Sequence, residues 1–229
     1  MLKPTLVLGI DTCGPSGSVA LGRLAGSDVE ILGQTELAGR NYSATLVAAV
    51  GELLARHGVT VRQLGAIVVV NGPGSFTGVR VGLSAAKGLA EPASIPVAAL
   101  SRLAVLARKG QTASAALDAH RHEVFLRLTG ADLEPKELLA GADEFAAIDP
   151  PPAQVAVCDE AAAVLLAAAW PGTELVRVPA PRAADALELA APLVQAGEFA
   201  DLALLDGHYL RRSDAEIFGE PVPAGPHPA

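Results

Sequence analysis

With 229 residues, 51% of them hydrophobic, and a mean hydropathy of +0.38, the chain can bury a sizeable core in one domain or two small lobes. Charged or polar residues interrupt every long apolar stretch, which argues against a membrane-spanning helix, and a net charge of −8 argues against unaided grip on a nucleic-acid backbone. Met1-Leu2-Lys3-Pro4 runs straight into a strand-like segment without a signal-peptide layout, so a cytoplasmic protein is expected, and its only cysteines, Cys13 and Cys158, are expected as reduced thiols.

In chain order, Thr5 to Ile10 and Ser18 to Leu24 read as a hairpin across Pro15-Ser16-Gly17, with Asp11 where the first strand ends. Val29 to Leu37 offers a third strand. A helix over Ser43 to His57 carries Leu46, Val47, Val50, Leu53 and Leu54 on a core face, with small residues Ala44, Ala48, Gly51 and Ala55 on another. Ala66 to Val70 reads as a buried strand. Asn71-Gly72-Pro73-Gly74-Ser75-Phe76-Thr77-Gly78 follows as a turn, and then a helix reaches Ala90, with Val79, Leu83 and Ala86 spaced three or four apart. Ile95 to Leu100 is a short strand, and Ser101 is placed to cap a helix ending near Arg108.

The second half begins after Lys109-Gly110. Ala113 to Asp118 and Glu123 to Leu128 form another hairpin with an aspartate between its strands, followed by strand Ala153 to Cys158, helix Glu160 to Ala169, strand Leu175 to Val178 and helix Ala183 to Ala196, where Pro192 is a candidate bend. Hairpin plus aspartate, then alternating elements, occurs twice. The expected fold is therefore α/β, two related lobes of mixed sheet flanked by helices, over 1–109 and 110–219, with a loose Pro-rich tail at 220–229.

Two uses compete for the glycine-rich turn. Gly72, Gly74 and Ser75 would either point backbone N–H groups at an anion or simply allow close packing; the absence of Gly-Lys-Ser/Thr excludes a Walker A loop. The helix behind it carries Gly78, Gly82 and Gly88, each costing about 1 kcal/mol relative to Ala. Smooth helix faces of this kind let a partner backbone approach closely, by analogy with membrane helices. The expected partner interface is Ala44, Ala48, Gly51, Ala55, Phe76, Gly78, Val79, Gly82, Leu83 and Ala86.

Gly72 to Gly82, together with Ile10-Asp11-Thr12 and Ser18-Val19-Ala20-Leu21, with Asp118 to Phe125, and with Tyr209-Leu210-Arg211-Arg212, resembles the bacterial TsaB (YeaZ) family. The resemblance implies a pseudoenzyme of the actin/Hsp70/sugar-kinase superfamily, with ribonuclease H-like lobes. It implies pairing with the catalytic paralogue TsaD and action with the ATPase TsaE in making threonylcarbamoyladenosine beside the anticodon of tRNA. Contact with tRNA would then be indirect, and the same helices would make a homodimer when TsaD is absent. Where the family often has Arg-x-His-Ser, this chain has Arg40-Asn41-Tyr42-Ser43, so no role for that histidine carries over.

The resemblance also directs attention to the cleft. ATP-binding members of the superfamily bracket phosphates with two Asp-led glycine-rich turns and seat adenosine on a Gly-Gly pair. Here Asp11, Gly14 and Gly17 match the first turn, whereas the second reads Asp118-Ala119-His120-Arg121-His122 and no adjacent glycines follow Gly110. The expectation is no catalysis and no tightly bound cofactor, with ATP consumed by partners. Weak or interfacial nucleotide contact would use Asp11, Gly72, Gly74, Ser75 and the charge of Arg121. Asp118, His120 and His122 would share one face if extended, but exposed turn residues are the commoner outcome and no metal site is assigned. Ser75 lacks the order of a nucleophile elbow, leaving a peptidase without support. The alternative kept open is a small-molecule kinase or ATPase whose phosphates rest on the Gly72–Gly78 turn.

Overall fold

A computed structural model describes residues 5–26, 28–38, 42–129 and 134–211. Arg40, Asn41, Arg212 and the 220–229 tail lie outside the described residues. Strands β1 (Thr5–Asp11), β2 (Ser16–Ala25) and β3 (Asp28–Ala38) form an antiparallel meander. Helix α1 (Tyr42–Arg56) leads to β4 (Leu64–Val70), which pairs parallel to β1. Helix α2 (Phe76–Ala90) returns the chain to β5 (Val97–Leu100), parallel to β4. The first sheet thus runs β3-β2-β1-β4-β5. The β-branched run Ile67-Val68-Val69-Val70 is fully buried at its centre, covered on both faces as a parallel strand requires.

Helix α3 (Arg102–Gly110) leads to β6 (Ser114–Asp118), β7 (Val124–Leu128) and β8 (Lys136–Ala140), again an antiparallel meander. Then come α4 (Ala142–Ala147), β9 (Gln154–Val157), α5 (Glu160–Ala169), β10 (Glu174–Arg177) and α6 (Ala183–Ala196). The second sheet, β10-β9-β6-β7-β8, repeats the order and the parallel or antiparallel sense of the first. The echo read from the sequence is a complete structural duplication. Its third strand and following helix were not legible: Lys136-Glu137-Leu138-Leu139-Ala140 has helix-forming residues, and pairing with β7 overrides that propensity. Helix α6 continues through Pro192.

The two halves exchange their last helices. Leu103, Leu106 and Ala107 of α3 pack with Ala115, Leu117 and Phe125 of the second sheet. Ala183, Ala186, Leu187, Ala190 and Ala191 of α6 join the core of the first. Segment 197–209 also returns to the first sheet, where Ala200 N–H donates to Val97 O and His208 N–H to Asn71 O. The chain-order partition at 109/110 therefore divides the sequence and not the packing. Each sheet leaves a face that its own meander cannot cover, and the helix that follows the other half's last strand covers it.

Helix α2 lies unusually close to the strand ends. A Cβ on Gly78 would meet Thr12 O at 2.0 Å, and one on Gly82 would meet Thr12 Oγ1 at 2.4 Å, whereas around Gly88 there is open space. Gly78→Ala is expected to destabilise by about 1–3 kcal/mol through overpacking. Gly88→Ala should stabilise by about 1 kcal/mol through helix propensity alone. Urea denaturation of the two variants checks both signs, and equal effects would contradict the close approach.

Candidate partner-binding face and the adjoining cleft

The turn after β1 is built round a buried charge. Asp11 is 1% exposed; its Oδ1 accepts from Cys13 N–H at 2.9 Å and its Oδ2 lies 3.4 Å from Arg102 Nε. Arg102 is itself 5% exposed. It reaches the site because Ser101 caps α3 directly after β5, accepting from Leu103 N–H at 3.2 Å, and because Arg102 N–H donates to Gly72 O at 2.6 Å. The guanidinium lies over the turn: a Cβ on Gly14 would fall 2.3 Å from Arg102 Nη2. Burial, the largest influence, would lower the Arg102 pKa, but the charge and hydrogen bond of Asp11 together with Cys13 and Cys158 outweigh it and the pKa is raised.

Tyr42, the first residue of α1, donates its hydroxyl to Gly14 O at 2.8 Å. Burial, with the Asp11 charge second, pushes its pKa up to about 12, so it stays a phenol donor. The Cys13 thiol donates to Val70 O at 3.2 Å, and burial followed by Asp11 pushes its pKa well up. That answers the question of reactivity raised by its place beside a glycine turn: the thiol is buried and protonated.

Gly72 (φ 119°) and Gly74 meet backbone that no side chain would tolerate. A Cβ on Gly72 would stand 2.7 Å from His208 O, and one on Gly74 would stand 2.2 Å from Cys13 O. Ser75 N–H donates to Cys13 O at 2.8 Å, and Ser75 Oγ accepts from Gly78 N–H at 3.3 Å as the cap of α2. The Ser75 and Gly78 amides are thus spent inside the fold, and Gly72 and Gly74 pack closely against backbone.

In the second turn, His120, Arg121 and His122 hold φ of 61°, 56° and 62°, a left-handed run without glycine that costs roughly 1–2 kcal/mol per residue. The extended geometry that would align Asp118, His120 and His122 is therefore absent. Asp118 instead accepts from His120 N–H at 2.8 Å and pairs with His120 Nδ1 at 2.9 Å. No group of three metal-ligating side chains occurs among the described residues. Arg121 stands exposed on this turn of the second sheet, while Gly72, Gly74 and Ser75 close the first.

The helix faces divide the expected interface. Ala44, Ala48, Gly51 and Ala55 are exposed along α1. Gly78, Val79, Gly82, Leu83 and Ala86 are buried on the inner side of α2, where the glycines admit Thr12, so they are not a partner surface. What α2 presents instead is Thr77, Arg80, Ser84 and Gly88, a stripe three or four residues apart that was there to be read. Val47, assigned by periodicity to the core, is 61% exposed. Between the helices runs an open groove of about 540 Å³, floored by Tyr42, Leu46, Val47, Phe76, Val81 and Ala85. Arg80 sits over the Phe76 ring at 3.9 Å, and Tyr209 packs on Phe76 at 4.8 Å between centroids.

A second polar centre escaped the sequence reading. Glu137 of β8, 7% exposed in its side chain, accepts from Ser101 Oγ at 2.6 Å and from Arg127 Nη1 at 2.6 Å, and contacts His208 Nε2 at 2.9 Å. Glu137, Ser101 and His208 line a cleft of about 350 Å³ with Asn71, Ala99 and Pro135. Only tertiary folding assembles them. Burial raises the Glu137 pKa, but the hydrogen bonds from His208, Ser101 and Arg127 outweigh it and hold it below the usual 4.5. A carboxylate lowered in the folded state contributes stability above its unfolded pKa and loses it as pH falls below that value. Thermal stability should therefore drop as pH falls from 5 toward 3, with a shallower slope in Glu137→Gln; identical slopes would contradict the assignment.

Among the described residues, no helix is long and apolar enough to cross a membrane. Residues 33–136 match the family model described as TsaD: tRNA N6-adenosine threonylcarbamoyltransferase. The chain is 37% identical over 125 residues to the tRNA threonylcarbamoyladenosine biosynthesis protein TsaB of Haemophilus influenzae, covering 52% of this chain and 51% of that one. It is 34% identical over 125 residues to TsaB of Escherichia coli, covering 52% of each. The chain thus spans about half the length of these curated relatives. The solved structure of YeaZ from Pseudomonas aeruginosa superposes with a TM-score of 0.69 at 25% identity, covering 90% of this chain and all of that one. The glycine-rich turn, the duplicated lobes and these relatives agree, and the chain is similar to the TsaB (YeaZ) family.

Proposed function

We propose that this protein is a non-catalytic subunit of the machinery that makes threonylcarbamoyladenosine next to the anticodon of tRNA. It pairs with the catalytic TsaD, acts alongside the TsaE ATPase, and forms a homodimer through the same surface when TsaD is absent. It works in the cytoplasm, binds no cofactor tightly, and meets tRNA through its partners. The observation that carries this reading is the groove between α1 and α2, apolar along its floor and rimmed by Thr77, Arg80 and Ser84. A surface with an apolar centre and polar rim has the anatomy of a protein interface. The similarity of residues 33–136 to the TsaD family supports pairing between related folds, since a face that fits itself fits a close relative.

The lack of chemistry in this proposal rests on the contents of the cleft. Asp11 is paired with Arg102, the first turn is covered by that guanidinium, and the Gly72–Gly78 turn packs against Cys13 and His208. The kinase or ATPase alternative finds no supporting geometry there. Any nucleotide contact is then weak or lies at the subunit boundary.

Exposed groove residues, not buried glycines, make the decisive variants. Val47→Glu, alone or with Ala48→Glu, should weaken binding to TsaD by about 2 kcal/mol or more, roughly thirtyfold in Kd, while the melting temperature stays within a few degrees of wild type. Calorimetric titration against purified TsaD measures this. Unchanged affinity would remove the groove from the interface. ATP hydrolysis by the purified chain above background, lost in Asp11→Ala, would favour the enzyme alternative.

A further inference from the structure

The Asp11–Gly14 turn is touched from three sides. Arg102 covers Gly14 and pairs with Asp11. Tyr42 donates to Gly14 O and so ties the first residue of α1 to the turn. From α2, Thr12 Oγ1 donates to Gly78 O at 2.7 Å and Ser75 N–H donates to Cys13 O. Four consecutive residues therefore set where both groove helices begin. Arg102 is not part of the groove lining, yet its guanidinium determines how the turn can lie.

We propose that Arg102 is a positioning residue for the α1–α2 face, acting through Asp11, Gly14 and Tyr42. The proposal rests on the reading of that face as the docking surface for the catalytic paralogue. The physical reason is that the turn can move only by uncovering a charge. Shifting Gly14 away from Tyr42 also shifts Asp11 from Arg102, and a carboxylate so deeply buried does not lose its counterion without heavy cost. The spacing and tilt of α1 against α2 are thereby fixed before any partner arrives, which is preorganisation of the interface.

The test uses full-length protein and purified TsaD, with Val47→Glu as the control at the face itself. Asp11→Asn with Arg102→Met replaces the pair by neutral groups of similar shape and is expected to fold. It should weaken TsaD binding at least tenfold without touching a groove residue. Tyr42→Phe removes only the hydroxyl bond to Gly14. It should weaken binding several-fold in the wild-type background and add nothing in the double variant, because both act through one turn.

Cys13 supplies a readout that does not involve the partner. In a Cys158→Ser background its buried thiol should react slowly with a disulfide reagent in wild type and at least tenfold faster once the pair is neutralised. A residue that merely stabilised the fold would lower the melting temperature and leave affinity and the Tyr42→Phe coupling unmoved. If Val47→Glu weakens binding while the double variant binds normally, the inference fails and the docking surface stands. If Val47→Glu has no effect, the docking reading fails and takes the inference with it. Should the double variant not fold, Tyr42→Phe decides: wild-type affinity and wild-type Cys13 reactivity overturn the proposal.

Discussion

A carboxylate withdrawn from water must find a cation or give up its charge, and the first lobe is arranged around the way Asp11 meets that demand. Its partner comes from a helix that packs mainly on the other sheet, so the ion pair ties that helix back to the first sheet. Arg102 can arrive there only because β5 ends beside β4, because Ser101 caps α3 at once, and because Gly14 leaves the volume that a side chain would fill. Charge, cap and glycine are three conditions for one contact. A buried pair of this kind adds little net stability over a neutral substitute, so its value lies in geometry: few other arrangements of these residues leave both charges satisfied.

The same logic extends across the junction of the lobes. Glu137 is another acid whose side chain is largely withdrawn from water, and it draws Ser101 from the first half, Arg127 from the second and His208 from the returning segment. Lys109 of α3 pairs with Asp185 of α6 at 2.7 Å, joining the two exchanged helices directly. Among the described residues, polar contacts thus tie the two sheets and their exchanged helices together. A duplicated fold with a cleft invites the expectation of a hinge; here polar contacts from both halves join along the cleft wall.

Small residues in helices carry two meanings, and this molecule uses both. On α1 they leave Ala44, Ala48, Gly51 and Ala55 as a shallow outer strip beside Val47. On α2 they point inward, where Gly78 and Gly82 let the helix rest on Thr12. The stretch that marks the TsaB (YeaZ) resemblance thus has two sides: its glycines form an internal joint, while Phe76, Thr77, Arg80 and Val81 of the same stretch line the groove.

Much of the architecture was readable from local pattern. The β-branched run of β4, the capping Ser101, the 3.6-residue spacing of α1 and α2 and the repeated hairpin with its aspartate all carry their signals within a few residues. The strand β8 carried none, since Lys136 to Ala140 looks helical until β7 pairs with it. Which side of a helix faces out was equally illegible: Val47 and Gly82 exchanged their expected places because periodicity defines faces but not what lies against them. By itself the amino-acid order determined most of the elements, their duplicated succession, the net negative charge and the family likeness, which depend on composition or on neighbours in the chain. Only the tertiary structure decided that α3 and α6 would cross over, that Arg102 would pair with Asp11, and that Ser101 and His208 would join the cross-strand pair of Arg127 and Glu137, because each of those contacts joins residues tens of positions apart and exists only once two sheets are packed together.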